Sequence, residues 1–125
     1  FIKGYKNQEE IYNLIRTSKI GFSFIPPRRS FSYSSPLKTI EYMGAGIPVV
    51  ANKEIGDQQR CISASDGGIL VPYNSKKAAE SIDLLLKKPQ LISKMGKSGS
   101  NWVNNNRCYD LYAKQLEKKY IDIIN

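Results

Sequence analysis

Histidine is absent from this 125-residue chain. Its absence removes Ser-His-Asp and Cys-His catalysis, and most zinc sites that one chain could build. Cysteine is scarce. Cys61 and Cys108 show no metal-type spacing and read as two reduced thiols of a cytoplasmic protein. No apolar run approaches membrane-spanning length, and the first residues do not read as a signal peptide. Any chemistry must therefore come from carboxylates, backbone dipoles, Lys, Arg or Tyr.

What is present is ordinary for a globular chain: 41% apolar and 24% charged residues. The length suits one domain, spanning 1–125, with a core large enough to fold without disulfides or metal. Residues 1–5, FIKGY, read as a strand entering in mid-fold, so an excised fragment is expected. The net charge is +8, spread along the chain in short pairs such as Arg28-Arg29 and Lys87-Lys88. Nucleic acid, an anionic membrane face and phosphorylated ligands are all compatible with it. The basic residues form no single block and are not interleaved with aromatics in a known RNA-binding pattern, so nucleic acid is not expected as a partner.

Strand and helix patterns alternate. Residues 1–3 read as a strand end. Residues 8–18 read as a helix with Ile11, Leu14, Ile15 and Ser18 on one face. Residues 19–25 alternate, Ile20, Phe22 and Phe24 against Gly21 and Ser23, and form a strand stopped by Pro26-Pro27. Residues 28–35 form a loop. A helix over 36–45 follows, with Ser35 as N-cap and Pro36 in its first position. Gly46 and Pro48 end it, and residues 47–51 read as a buried parallel strand. A short helical turn near 57–63 precedes Gly67-Gly68 and a strand over 69–71. From Ser75 onward the chain reads as helical. One helix is capped by Ser75, with Ala78, Ala79, Ile82, Leu85 and Leu86 inside. A second runs from Pro89 to near Gly96. A third covers 107–124, its stripe of Tyr109, Tyr112, Leu116, Tyr120 and Ile123 expected to pack in a core or interface. This order predicts an α/β fold with a parallel sheet flanked by helices. Ligands bind such sheets at the carboxyl ends of the strands, where the loops 26–35 and 51–58 lie.

The segment 34–51, SSPLKTIEYMGAGIPVVA, carries the most information. The free N–H groups at the start of its helix favour an anion. Ser34 and Ser35 add hydroxyls, Lys38 adds a positive charge in the first turn, and Arg28 and Arg29 are near in sequence. This set suits a diphosphate. Glu41, the only acid between Glu10 and Glu54, follows one turn later and suits the vicinal hydroxyls of a ribose. Gly44 and Gly46 allow close packing and a tight exit into the next strand. The bland alternative is a surface pair of Lys38 and Glu41 at i, i+3 on a helix begun by Ser-Pro.

SPLKTIEYMGAGIPVVA resembles the donor-site segment of retaining glycosyltransferases with the GT-B fold, particularly glycosyltransferase family 4. FIKGYKNQEEIYNLIRTSKIGFSFIP and GGILVPYNSKKAAESIDLLL are similar to flanking parts of the same C-terminal domain. The resemblance implies a Rossmann-like, C-terminal half of a GT-B fold closed by C-terminal helices. It implies a UDP- or GDP-sugar donor, no metal, and a glycan or lipid-linked acceptor held by an N-terminal domain outside this chain. Peripheral contact with the cytosolic membrane face is compatible with the basic charge. Glu41 corresponds to the second of the family's two glutamates, the one that binds ribose. The first glutamate's position holds Tyr33, a departure that leaves sugar contacts to the Tyr33 hydroxyl and to the backbone of Tyr33, Ser34, Ser35, Pro36 and Leu37. Gly4 and Tyr5 resemble the stretch that brackets the nucleobase. Lys38 and Glu41 are the residues the resemblance points to for chemistry. The fragment alone is expected to be inactive. A nucleotide-sugar epimerase of the same fold and a non-catalytic basic binding domain remain open as alternatives.

Overall fold

The computed structural model describes residues 4–124. The expected strand end at 1–3 lies outside them. The elements are α1 (Gln8–Thr17), β1 (Gly21–Ser23), α2 (Arg29–Ser32), α3 (Leu37–Gly44), β2 (Val49–Asn52), α4 (Gly56–Ser65), β3 (Gly68–Val71), α5 (Ser75–Leu86), α6 (Pro89–Asn106) and α7 (Tyr109–Ile124). The strands form a parallel sheet in the order β1-β2-β3, with Phe22 opposite Val50 and Val50 opposite Ile69. The fold is thus the expected parallel α/β sheet flanked by helices.

Side-chain alternation sorts the two faces of the sheet. Val49 and Ala51 join Met43 of α3, Cys61 and Ile62 of α4 and Val103 of α6 in the main core. Val50 points the other way and is also fully buried, and α5 packs against β2 and β3. Both faces of β2 are covered, which is why IPVVA reads as a continuous apolar run.

β1 shows the expected alternation, over a shorter span than 19–25. Gly21 and Ser23 are the buried residues, and Phe22 is 45% exposed. A Cβ on Gly21 would stand 2.4 Å from the Tyr42 ring, so α3 lies directly against this strand. Phe22, Phe24 and Tyr73 instead stack on one another, with centroids 5.0 and 5.1 Å apart.

Helix boundaries differ from expectation where a residue serves tertiary packing. Gly96 does not end α6, which runs on to Asn106. A Cβ there would sit 2.0 Å from the Gly46 carbonyl oxygen, so the glycine is a contact point between α6 and the α3–β2 turn. Gly46 makes that turn with φ +76°. Gly44, by contrast, has only an ordinary 3.5 Å neighbour in Val103. Asn74, not Ser75, caps α5, accepting from Lys77 N at 3.0 Å. Of α5's expected inner face, Ala78 and Leu85 are buried and Leu86 is exposed. Residues 28–35, expected as loop throughout, contain the single turn α2. The short turn near 57–63 is a ten-residue helix.

The termini of the described chain are less embedded. A capping box closes α1: Asn7 accepts from Glu10 N and Glu10 accepts from Asn7 N, at 2.9 and 3.0 Å. Only Ile15 of α1 is buried. No residue of α7 is buried, so its tyrosine stripe forms no core among the described residues. No helix among them is long and apolar enough to cross a membrane.

Candidate functional site

The carboxyl ends of β1 and β2 are braced by a buried polar network. Ser23 Oγ donates to Gln58 Oε1 at 2.8 Å, and Thr39 Oγ1 donates to Ser23 Oγ at 3.1 Å. Gln58 Nε2 donates to the Asn52 carbonyl at 2.7 Å. The Asn52 side chain bonds both backbone groups of Ile25, accepting from its N–H at 2.8 Å and donating to its carbonyl at 3.0 Å. Asn52 Nδ2 also donates to Glu54 Oε2 at 2.9 Å, and Glu54 Oε1 accepts from Tyr73 N at 2.9 Å. Among the described residues no buried side-chain nitrogen or oxygen lacks a partner. The network ties together the two loops at the crevice. Sequence patterning marks these loops but not Ser23, Thr39, Asn52, Glu54 or Gln58 as their braces.

Asp57, in the first turn of α4, is a second junction. Its carboxylate accepts from Ser35 Oγ, from Arg60 Nη2 at 2.8 Å and from Arg107 Nη2 at 2.6 Å. Burial alone would raise the Asp57 carboxyl, but these bonds from Ser35, Arg60 and Arg107 outweigh it and hold it below its ordinary value. Glu54 is lowered in the same way: burial opposes, and bonds from Tyr73 and Asn52 prevail. Burial, reinforced by Asp57, raises the Cys61 thiol, which keeps it protonated.

Above these braces stands the start of α3. Its N-cap is Pro36, one residue later than expected, and no side chain caps the helix. The expected cap, Ser35, gives its proton to Asp57 instead, and Ser34 Oγ donates back to the Phe31 carbonyl at 2.8 Å. Neither serine hydroxyl therefore points a free proton at an anion. The helix N terminus itself is open, with Lys38 exposed in its first turn.

Glu41 is exposed on the outer face of α3, where three depressions meet. One, of about 510 Å³, runs between α1 and β1 and brings Glu41 together with Lys38, Phe22 and Tyr42. A second, of about 310 Å³, joins Glu41 to Ser35, Leu37, Arg107, Tyr109 and Tyr112. The third lies against Tyr12 and Arg16 of α1. Burial, and then the charge of Glu41, push the Tyr42 phenol up, so it stays protonated beside the carboxylate.

The other residues singled out from the sequence are exposed. Tyr33 is 91% exposed and Tyr5 99% exposed, and a Cβ on Gly4 would have no neighbour within 4 Å. Arg28 and Arg29 are exposed at the start of α2. Arg107 is a site residue that sequence reasoning misses. It stands 50 positions from Asp57, and no local pattern announces the pairing.

Comparisons with known proteins agree with this architecture. Residues 1–102 match the family model described as glycosyl transferases group 1. No curated protein sequence gives a significant match. Among solved structures the chain is similar to sucrose-phosphate synthase from Thermosynechococcus elongatus, with a TM-score of 0.80 at 23% identity. The match covers 98% of this chain and 29% of that one, so this chain spans less than a third of the protein it resembles. That likeness speaks for the fold, which is the Rossmann-like half of a GT-B fold with its C-terminal helices. The family match covers most of the chain and includes the whole of the segment 34–51: the chain belongs to the group 1 family of glycosyl transferases.

Proposed function

We propose that this domain binds the nucleoside-diphosphate sugar of a glycosyltransferase, with the diphosphate at the N terminus of α3 and the ribose at Glu41. One observation carries the reading: Glu41 shares one groove with Lys38 and a second with Ser35 and Leu37 at the uncapped start of α3. The helix end offers N–H groups and positive potential, Lys38 adds a full charge, and Glu41 accepts from two vicinal hydroxyls. As the bond to the sugar breaks, negative charge grows on the leaving diphosphate. The helix terminus and Lys38 stabilise that charge without a metal ion. Gly4 and Tyr5 flank the base, and Tyr33 with the backbone of residues 33–37 faces the sugar.

In this reading the donor is a UDP- or GDP-sugar, and a hexosyl group passes with retention to a glycan or lipid-linked acceptor. The acceptor is held by a domain outside this chain, so 1–125 is the donor-binding part and does not turn over alone. The protein works in the cytoplasm, with peripheral contact to anionic membrane through its lysines.

The test is an amide NMR titration of the 125-residue chain with UDP, GDP and ADP at millimolar concentration. One nucleotide is expected to shift the amides of Ser35 and of residues 37–41. If all three leave those amides unmoved, the assignment is wrong.

A further inference from the structure

We propose that Asp57 is the positioning residue of this site: through Ser35 it holds the start of α3 in the place where a nucleoside diphosphate binds. The inference rests on the donor-site reading above and adds to it a residue that touches no ligand.

The geometry is specific. A helix that begins without a side-chain cap has little of its own to fix the direction of its first turn. Here two side chains, one within that turn and one before it, do so. Thr39, inside it, is held by Ser23 at 3.1 Å in the buried network. Ser35, just before it, is held by Asp57. Asp57 is itself held by further bonds. Its side chain is 11% exposed, and guanidinium groups from Arg60 and Arg107 bond the oxygen that Ser35 does not use. Arg107 reaches it across 50 positions, from the end of α6. One carboxylate thus joins the α3 start, α4 and the α6–α7 corner, and Ser35 and Arg107 line the same groove as Glu41.

A negative charge close to an anion site is a liability unless it is neutralised. The two arginines provide that neutralisation. This makes the charge and the positioning separable. If Asp57 mattered only through its field, removing its charge would strengthen diphosphate binding. If it mattered only as a structural staple, its loss would lower stability and affect all ligands alike. Positioning predicts a third pattern: weaker binding of the diphosphate, with the nucleoside unaffected.

The experiment compares wild type, Asp57→Asn, Ser35→Ala and the double variant. The probes are whichever of UDP and GDP binds the wild type, and the matching nucleoside, uridine or guanosine. Asp57→Asn is expected to weaken the diphosphate roughly tenfold and the nucleoside less than about twofold, an effect the size of one charge-assisted hydrogen bond. Ser35→Ala, which keeps the charge, is expected to match it, and the double variant to be no weaker than Asp57→Asn alone. Diphosphate binding that is unchanged or tighter in Asp57→Asn overturns the inference and leaves the donor site standing. A wild type that binds neither nucleotide overturns both. Should Asp57→Asn fail to fold, Ser35→Ala removes only a hydroxyl, and undiminished diphosphate binding by it overturns the inference by itself.

Discussion

Replacing Gln58 by Leu tests whether the buried network holds the crevice together. Gln58 is 1% exposed, and its carboxamide both donates to the Asn52 carbonyl and accepts from Ser23. Leucine is similar in size but makes neither bond. The Asn52 carbonyl and the Ser23 hydroxyl lose their partner in a place water does not reach. Each such group costs about 1–3 kcal/mol, and Ser23 keeps Thr39, so the total is about 3 kcal/mol. For 125 residues the unfolding entropy is roughly 0.26 kcal/mol/K, which converts that cost to a fall of about 11 °C in melting temperature. Thermal unfolding followed by circular dichroism at neutral pH measures it. A second variant, Gln58→Glu, sharpens the argument. In its protonated form the new carboxyl can still donate to the Asn52 carbonyl, whereas the ionised form places a buried charge against it. Burial raises this carboxyl in the folded state, so the folded chain holds its proton to higher pH than the unfolded chain. Stability relative to wild type must then fall as pH rises from about 5 to about 8. A Leu variant that melts within about 4 °C of wild type, or a Glu variant whose deficit is flat with pH, refutes the reasoning.

Gly96→Ala adds a methyl group that would meet the Gly46 carbonyl oxygen at 2.0 Å. The overpacking of about 1–3 kcal/mol exceeds the gain of up to about 1 kcal/mol from replacing a helical glycine, so a lower urea midpoint is expected. Lys38→Ala should leave the melting temperature within about 2 °C, since Lys38 is exposed, while weakening nucleoside diphosphate binding more than nucleoside binding, as calorimetry would report. Glu41→Gln should weaken ribonucleotides and leave 2′-deoxy analogues less affected; equal loss for both would remove the ribose from Glu41. Asp57 and Glu54 are lowered below their ordinary values, so the unfolded chain takes up their protons first. Their stabilisation is complete above the unfolded value of about 4 and is lost as pH falls through the folded values. The urea midpoint should therefore drop on acidification below about pH 4, and less steeply in Asp57→Asn.

Much of the fold is legible in the sequence because local rules govern it. The helix start near Pro36, the β-branched run IPVVA and the Gly46 turn each depend on neighbours in sequence, and each appears within a residue or two of its expected place. The errors share one cause. Gly96 looks like a helix end because glycine breaks isolated helices, yet it sits where two backbones touch. At β1 the large apolar residues Phe22 and Phe24 stack on each other, and Phe22 is 45% exposed. The inner face belongs to Gly21 and Ser23, since Tyr42 fills the space over one and Gln58 bonds the other. The tyrosines of α7 have helical spacing but no surface among the described residues to bury them.

The same division explains why the candidate site is only half visible in the sequence. Lys38 and Glu41 stand on one turn of one helix, so their spacing alone suggests a shared task. The residues that hold that helix in place come from β1, the end of β2, α4 and the end of α6. They are polar side chains of kinds that sequence statistics assign to surfaces. Ser23, Asn52 and Gln58 are nonetheless fully buried, and they can be so only because each satisfies another. Such a network has no meaning residue by residue: Gln58 without Asn52 would be a costly error, and Asn52 without the Ile25 backbone likewise. It follows that substitutions in the braces would disable the crevice while leaving every residue of the recognisable segment in place. If the proposed donor site is right, judging whether a relative of this domain binds a donor requires the partners of Thr39 and Ser35 as well as Lys38 and Glu41.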